Sequence, residues 1–236
     1  VQGTGKDISV IQREKTVKIA LIQLNPVIGD FDKNCAKIVE WAGKARMRGC
    51  GLAIFPELAI SGYPPQDLLE RASFLLAHDQ AVAKLIHDLP QDIDVMFGCL
   101  ERRGGQRGKA LYNAALVARQ GKIVYRAHKQ LLPSYDVFGE TRYLEPGDPS
   151  ELYQVQGLSF GVTVCEDVWS DEVNEYQVQP VADIVARAAV SSLTVDALIN
   201  ISASPFQRDK EKIRKGIFEK ICRSHHVPFL YCNQVG

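Results

Sequence analysis

Seven short apolar runs, each closed by a turn residue or a charge, punctuate this chain at wide intervals: 17–22, 51–55, 94–100, 114–117, 158–165, 196–200 and 228–232. Their hydrophobicity is nearly continuous rather than alternating, which predicts strands buried on both faces. Helical periods lie between them. Ile38, Val39, Ala42 and Ala45 form one apolar stripe, and Ile213, Ile217 and Ile221 form a second, with Lys212, Lys215 and Lys220 directed elsewhere. A third helix is expected near Ala182 to Leu193. Such alternation predicts an α/β fold of sheets covered by helices. Burial of the second sheet face is met equally well by more helices or by another sheet, so the pattern leaves three-layer and four-layer arrangements open. Arg102 to Gly108 is a basic, glycine-containing loop that does not lead from a strand into a helix as a phosphate loop must. It reads as a solvated hairpin tip.

A chain of 236 residues is long enough for one large domain with a substantial core. That domain is expected to cover 16–236, because residues 1–15 show no clear period and read as an N-terminal extension. Lysine plus arginine equals aspartate plus glutamate at 28 each, so no global field favours nucleic acid or an anionic membrane. No run approaches the ~18 apolar residues of a membrane span, and the polar N-terminus lacks a signal-peptide stretch. A cytoplasmic protein is the expectation. The six cysteines, at 35, 50, 99, 165, 222 and 232, include no C-x-x-C pair and are too sparse for a disulfide scaffold. Five of them read as small buried apolar residues.

Cys165 differs, because it closes an apolar run and is followed at once by Glu166 and Asp167. Two other segments offer it partners: Phe55-Pro56-Glu57 and His128-Lys129-Gln130-Leu131-Leu132-Pro133. A thiol, a carboxylate and an ammonium are the groups needed to cleave an amide through a covalent acyl intermediate. A free thiol ionises near pH 8.5. Glu57 would therefore take its proton and later return it to the departing nitrogen, while Lys129 would face the developing oxyanion. Taken singly, Glu57 and Lys129 fit equally well on a solvated surface. What distinguishes them is their place, since ligands of α/β sheets gather at the carboxyl ends of strands.

These segments resemble the Glu–Lys–Cys segments of the nitrilase superfamily, and the stretch from Phe55 to Leu69 resembles the glutaminase domains of glutamine-dependent NAD synthetases. Tyr63-Pro64-Pro65-Gln66-Asp67-Leu68 is its selective part, and Lys129 to Tyr143 and Cys165 to Trp169 agree with the same group. The resemblance spans Val17 to Gly236. It implies a four-layer α-β-β-α sandwich of the nitrilase type. It also implies that Glu140 is a second carboxylate near the triad, against the simpler reading of an ion pair with Arg142. Glutamine is the implied substrate. Tyr63, Phe138 and Glu166 would line its pocket, and Ser202 or Ser204 would hold its amino-acid end. Arg208 and Arg214 are candidates for the α-carboxylate, although the spacing from Gln207 to Lys212 follows no trusted pattern and also fits a solvated helix start.

The same resemblance implies what is absent. The Ser-Gly-Gly pyrophosphate loop of the synthetase half is not in these residues and no Walker-type loop replaces it. ATP, magnesium and nicotinic acid adenine dinucleotide are therefore expected to bind a synthetase domain outside this sequence or on another chain, with no cofactor in this domain. Related domains continue past the position of Gly236 with at least one more strand pair, so the sandwich is expected to be incomplete at its C-terminal end. A homo-oligomer is also implied. Two other readings stay open: a free-standing ω-amidase or nitrilase acting on a small amide, and a catalytically silent interaction domain.

Overall fold

The computed structural model describes residues 16–104, 107–135, 138–170 and 176–235. The extension assigned to 1–15 and the tip of the glycine loop at 105–106 lie outside the described residues. The elements run β1 (Ile19–Leu21), α1 (Phe31–Met47), β2 (Leu52–Ile54), α2 (Ala72–Asp88), β3 (Asp94–Arg102), β4 (Leu111–Arg119), β5 (Lys122–His128), β6 (Tyr153–Val155), β7 (Leu158–Val164), α3 (Pro180–Val190), β8 (Ala197–Ser202), α4 (Lys210–His225) and β9 (Phe229–Asn233). Two sheets result, ordered β1-β2-β3-β4-β5 and β6-β7-β8-β9. In the first, β1, β2 and β3 are parallel, β4 returns antiparallel to β3, and β5, antiparallel to β4, runs again in the direction of β3. In the second, β7, β8 and β9 are parallel and β6 is antiparallel to β7.

Alternate side chains sort the layers. Ala53, Val95, Phe97 and Cys99 pack against Ile38 and Ala42 of α1 and Leu85 of α2. Their neighbours Leu52, Ile54 and Met96 point the other way and meet Phe160, Val162, Ile199 and Ile201 of the second sheet. Leu198 then faces Ile184 of α3 and Ile217 and Ile221 of α4. The order is helix, sheet, sheet, helix, so the open choice between three and four layers resolves as four. Both sheets are buried on two faces, which is why their central strands carry unbroken apolar runs.

Three elements lack the signals read from the sequence. Strand β5 alternates between exposed and covered positions, with Ala127 buried and Lys122, Val124 and Arg126 exposed, as an outer strand should. Strand β6 is only three residues long. Helix α2 has an apolar stripe interrupted by buried His78, whose Nε2 accepts the Leu100 N–H at 3.3 Å. Burial holds that imidazole at a pKa of about 4, so it serves as a neutral acceptor. In α4 the expected stripe is shorter than its sequence suggests, because Ile213 is exposed. The basic glycine loop joins β3 to β4, as a hairpin connection should.

Close backbone packing brings the Glu57 segment onto the first sheet. A Cβ at Gly98 would lie 2.5 Å from both the Glu57 Cα and the Pro56 carbonyl oxygen, and would also strike the Leu58 nitrogen. Only glycine at this strand position lets the loop lie flat. From the other side, the amide of buried Asn34 in α1 donates to the Ile60 carbonyl at 2.9 Å and the Val27 carbonyl at 2.7 Å. Gly98→Ala should therefore destabilise the fold by about 1–3 kcal/mol as an overpacked site and lower hydrolysis, because it pushes Glu57 itself. Gly43→Ala in α1, where an added Cβ meets nothing within 4 Å, should raise Tm and leave activity unchanged. Thermal unfolding of the two variants, with activity measured alongside, checks the contrast.

Candidate active site

Four strand ends and one strand start converge. Glu57 lies three residues beyond β2, Lys129 directly follows β5, Cys165 directly follows β7 and Ala203 directly follows β8. Asn113 is near the start of β4, which runs antiparallel and so begins at the same end of the sheet. Strand β7 stops at Val164, one residue short of the expected end. Cys165 opens a 3-10 turn with φ of 45°, and Leu58, just after Glu57, has the same φ. Non-glycine residues in this left-handed region are held there by their surroundings. Here both flank reacting groups.

The Lys129 ammonium is fully buried, 2.8 Å from Glu57 Oε1 and 2.8 Å from Glu140 Oε1. Burial opposes its charge, but Glu140 and Glu57 outweigh burial and raise its pKa well above the ordinary lysine value. Surface placement of Glu57 and Lys129 is thereby excluded. Glu57 accepts two further bonds, from Asn113 Nδ2 at 2.7 Å and from the Ala203 N–H at 2.8 Å on its other oxygen. Tyr63 donates to Glu140 Oε1 at 2.8 Å, while Glu140 Oε2 and Asn113 Oδ1 are buried with no hydrogen-bond partner among the described residues. Glu140 thus pairs with Lys129 and not with Arg142, whose guanidinium lies over the Tyr143 ring. Burial raises the Glu140 carboxyl despite the nearby lysine.

Cys165 is half-buried. Burial and then the Glu57 charge push its thiol well above the usual range, partly countered by Lys129 and a hydrogen bond with Ser202. Ser202 also donates to Asn200 Oδ1 at 2.8 Å, and Asn200 Nδ2 in turn reaches the Cys165 carbonyl at 3.3 Å. Ser204 is buried, its N–H bonded to Asn233 at 2.9 Å. Glu166 is buried beside the nucleophile and accepts from Tyr135 at 2.7 Å and Tyr176 at 3.1 Å. Phe138 stands edge-on to Tyr135, 5.6 Å between ring centres. Together with Tyr63 and Glu140 it lines a cavity of about 360 Å³. The two candidate arginines are placed differently. Arg208 is 98% exposed beside Asp209, and Arg214 donates to the Tyr231 hydroxyl at 3.0 Å.

The candidate catalytic and pocket residues read from the sequence therefore lie at one end of the sandwich, whereas Arg208 points into solvent. Sequence reading missed Asn113, Tyr176 and the Ala203 N–H, and gave Asp167 and Tyr135 no role. Asn113 left one faint trace, a lone amide inside an otherwise apolar strand. Among the described residues, no three His, Cys, Asp or Glu side chains cluster to hold a metal ion. None of the described helices is long and apolar enough to cross a membrane.

This arrangement is a thiol poised beside a buried ammonium–carboxylate pair, on two sheets faced by helices. The family model for carbon-nitrogen hydrolases matches residues 18–208, and the chain belongs to that family. Among characterised relatives, the glutamine-dependent NAD(+) synthetase of Synechocystis sp. is 39% identical over 227 residues, covering 92% of this chain. That of Thermotoga maritima is 35% identical over 223 residues, covering 94% of this chain. The chain spans only 39% and 36% of the lengths of these two relatives. Among solved structures, the glutamine-dependent NAD+ synthetase of Acinetobacter baumannii in complex with ADP superposes with a TM-score of 0.78 at 32% identity, over 93% of this chain and 38% of that one. An amidase from Nesterenkonia sp. has the same fold, with a TM-score of 0.76 at 22% identity over 96% of this chain and 79% of that one. It is a cysteine-dependent hydrolase fold of the nitrilase superfamily.

Asn113 supplies a test of the geometry. Removing its amide takes one charge-assisted bond of about 1.5–3 kcal/mol from Glu57, so Asn113→Ala should cut kcat for amide hydrolysis roughly tenfold or more with little change in KM. Asn113→Asp sets a second carboxylate against Glu57 and should cost more. Steady-state kinetics of both variants read the split.

Proposed function

We propose that this chain hydrolyses the side-chain amide of glutamine and supplies the ammonia for amidation of nicotinic acid adenine dinucleotide to NAD by an ATP-dependent synthetase unit. The observation that carries the reading is the fully buried Lys129 ammonium bridging Glu57 and Glu140 beside Cys165. The similarity to glutamine-dependent NAD(+) synthetases supports the choice of substrate and destination.

In the proposed reaction Glu57 removes the thiol proton as sulfur attacks the amide carbon, and Lys129 faces the oxygen as it gains charge. Glu57 then gives that proton to the nitrogen, the C–N bond breaks and ammonia leaves a thioester on Cys165. Water attacks the thioester with Glu57 as base, the C–S bond breaks and glutamate departs. The raised thiol pKa suits this sequence, because sulfur is protonated at rest and loses its proton only to a positioned base. Glu166 is placed to pair with the substrate α-ammonium, with Tyr63 and Phe138 as walls and the Ser202 and Ser204 segment near the amino-acid end.

Cys165→Ala and Cys165→Ser should abolish glutamate and ammonia release while leaving the fold intact. A diazo-ketone analogue of glutamine should label Cys165 and none of the other five cysteines. Peptide mapping that puts the adduct elsewhere removes the assignment, and turnover of small amides but not glutamine would replace glutamine by a simpler substrate.

Glu57→Gln separates two roles of one residue. It removes the proton carrier, so amide hydrolysis should fall by about 10²-fold or more. It also removes the nearby charge that holds the thiol pKa up, while Lys129 still favours thiolate. Alkylation of Cys165 by iodoacetamide at pH 8 should therefore be faster in the variant than in the unaltered protein. With Glu57 present the alkylation rate should keep rising above the pH where ordinary thiols ionise, since a raised pKa moves the profile to the alkaline side. Slower alkylation in the variant would mean that Glu57 does not face the sulfur.

A further inference from the structure

One buried carboxylate holds the two reacting segments together. Asp167, 1% exposed, accepts the N–H groups of Gln130 and Leu131 on Oδ1, each at 2.9 Å, and the N–H of Val164 on Oδ2, also at 2.9 Å. Gln130 directly follows Lys129, and Val164 directly precedes Cys165. The first two donors belong to the loop leaving the first sheet, and the third to the last residue of β7 in the second sheet. A single carboxylate thus receives backbone from both halves of the sandwich at the residues adjoining the ammonium and the nucleophile. Burial pushes its carboxyl up to about 7, against the three N–H bonds, which favour the anion; Lys129 is the nearby cation that also favours it. A buried N–H group left without an acceptor costs about 1–3 kcal/mol, and Asp167 receives three such groups.

We infer that Asp167 is a positioning residue that sets the distance between the Lys129 ammonium and the Cys165 sulfur, a role that rests on the hydrolytic reading above. It touches no reacting atom. Its effect passes through the backbone, where displacements of about 1 Å at a reacting group can cost 10²-fold in rate.

Asp167→Asn keeps the shape and the acceptor for Gln130 and Leu131 but sets an N–H₂ group against the Val164 N–H, so the clamp opens on the nucleophile side. At a temperature well below its Tm, this variant should lose about 10- to 100-fold in kcat for glutamine with KM within about threefold, and its Cys165 should react more slowly with iodoacetamide because Lys129 has moved from the sulfur. Asp167→Ala should lose more than Asp167→Asn. If Asp167→Asn does not fold, Asp167→Glu, which keeps the charge and shifts the oxygens by one methylene, is read by the same split. In the unaltered protein the amides of Gln130, Leu131 and Val164 should exchange as slowly as those of the central strands. A lower Tm with kcat and alkylation unchanged, or fast exchange at Gln130 and Leu131, would overturn the role whatever the variants do. Glutamine hydrolysis that survives Cys165→Ala would instead bring down the hydrolytic reading itself, so the two failures are distinguishable.

Discussion

Everything at this site depends on a fully buried ammonium. Lys129 is completely enclosed, and its charge persists there only because two carboxylates lie within 2.8 Å of it. An ion pair of this kind is a poor source of net stability, since desolvation consumes most of the attraction. Its value is geometric. Removing Lys129 would leave buried carboxylates without their cation, at a cost of about 3–5 kcal/mol, so the segments carrying Glu57, Lys129 and Glu140 are assembled together. The position of Glu57 is then over-determined by Asn113 and the Ala203 N–H. The second of these bonds crosses to the other sheet, so the carboxylate belongs mechanically to both.

The opposite end of the sandwich has a comparable tie with a different character. Asp94 on β3 accepts from Arg119 Nε of β4 at 2.7 Å and from the Tyr153 hydroxyl of β6. Arg119 also donates to the Gln154 carbonyl at 3.1 Å. Arg119 is substantially exposed, so its charge is screened by water and the tie is structural. One cross-sheet ionic cluster is thus wet and remote, and the other is dry and adjoins the nucleophile. Strand direction accounts for the difference. The parallel strands deliver Glu57, Cys165 and Ala203 at their carboxyl ends, whereas the other end receives the starts of those strands and the ends of the antiparallel β4 and β6.

The central strands and three helices were legible because burial on both faces leaves a strong mark on composition. The outer strand β5 was not, since its apolar residues alternate with charges and its strength comes from pairing with β4. Helix α2 was hidden by His78, a polar residue at a core position whose role is to satisfy a backbone N–H of β3. At the site, Cys165, Glu57 and Lys129 were visible through motif and strand ends, but the sequence cannot say that a lysine is buried. Asn113 bonds Glu57 across 56 residues and Asp167 accepts a backbone N–H across 37, while Tyr176 meets Glu166 over an irregular connection of 10, and none of these leaves a local pattern. Charge made the two arginines plausible ligands, and the structure separates them: Arg208, ahead of α4, is exposed, while Arg214 on α4 reaches the Tyr231 hydroxyl.

Charge bookkeeping at the site explains why the thiol is held protonated. Two carboxylates and one ammonium already leave an excess negative charge in a low-dielectric space, and a thiolate would add another. The thiol pKa is accordingly raised, and that of Glu140 with it. In the proposed reaction the sulfur hands its proton to Glu57 as it bonds to the amide carbon, and the amide oxygen becomes the new anion next to Lys129. Negative charge then moves from the Glu57 carboxylate to an oxygen that faces a cation, without the site accepting a net additional charge. A site arranged in this way disfavours the free thiolate while lowering the cost of the charged state that the substrate itself creates.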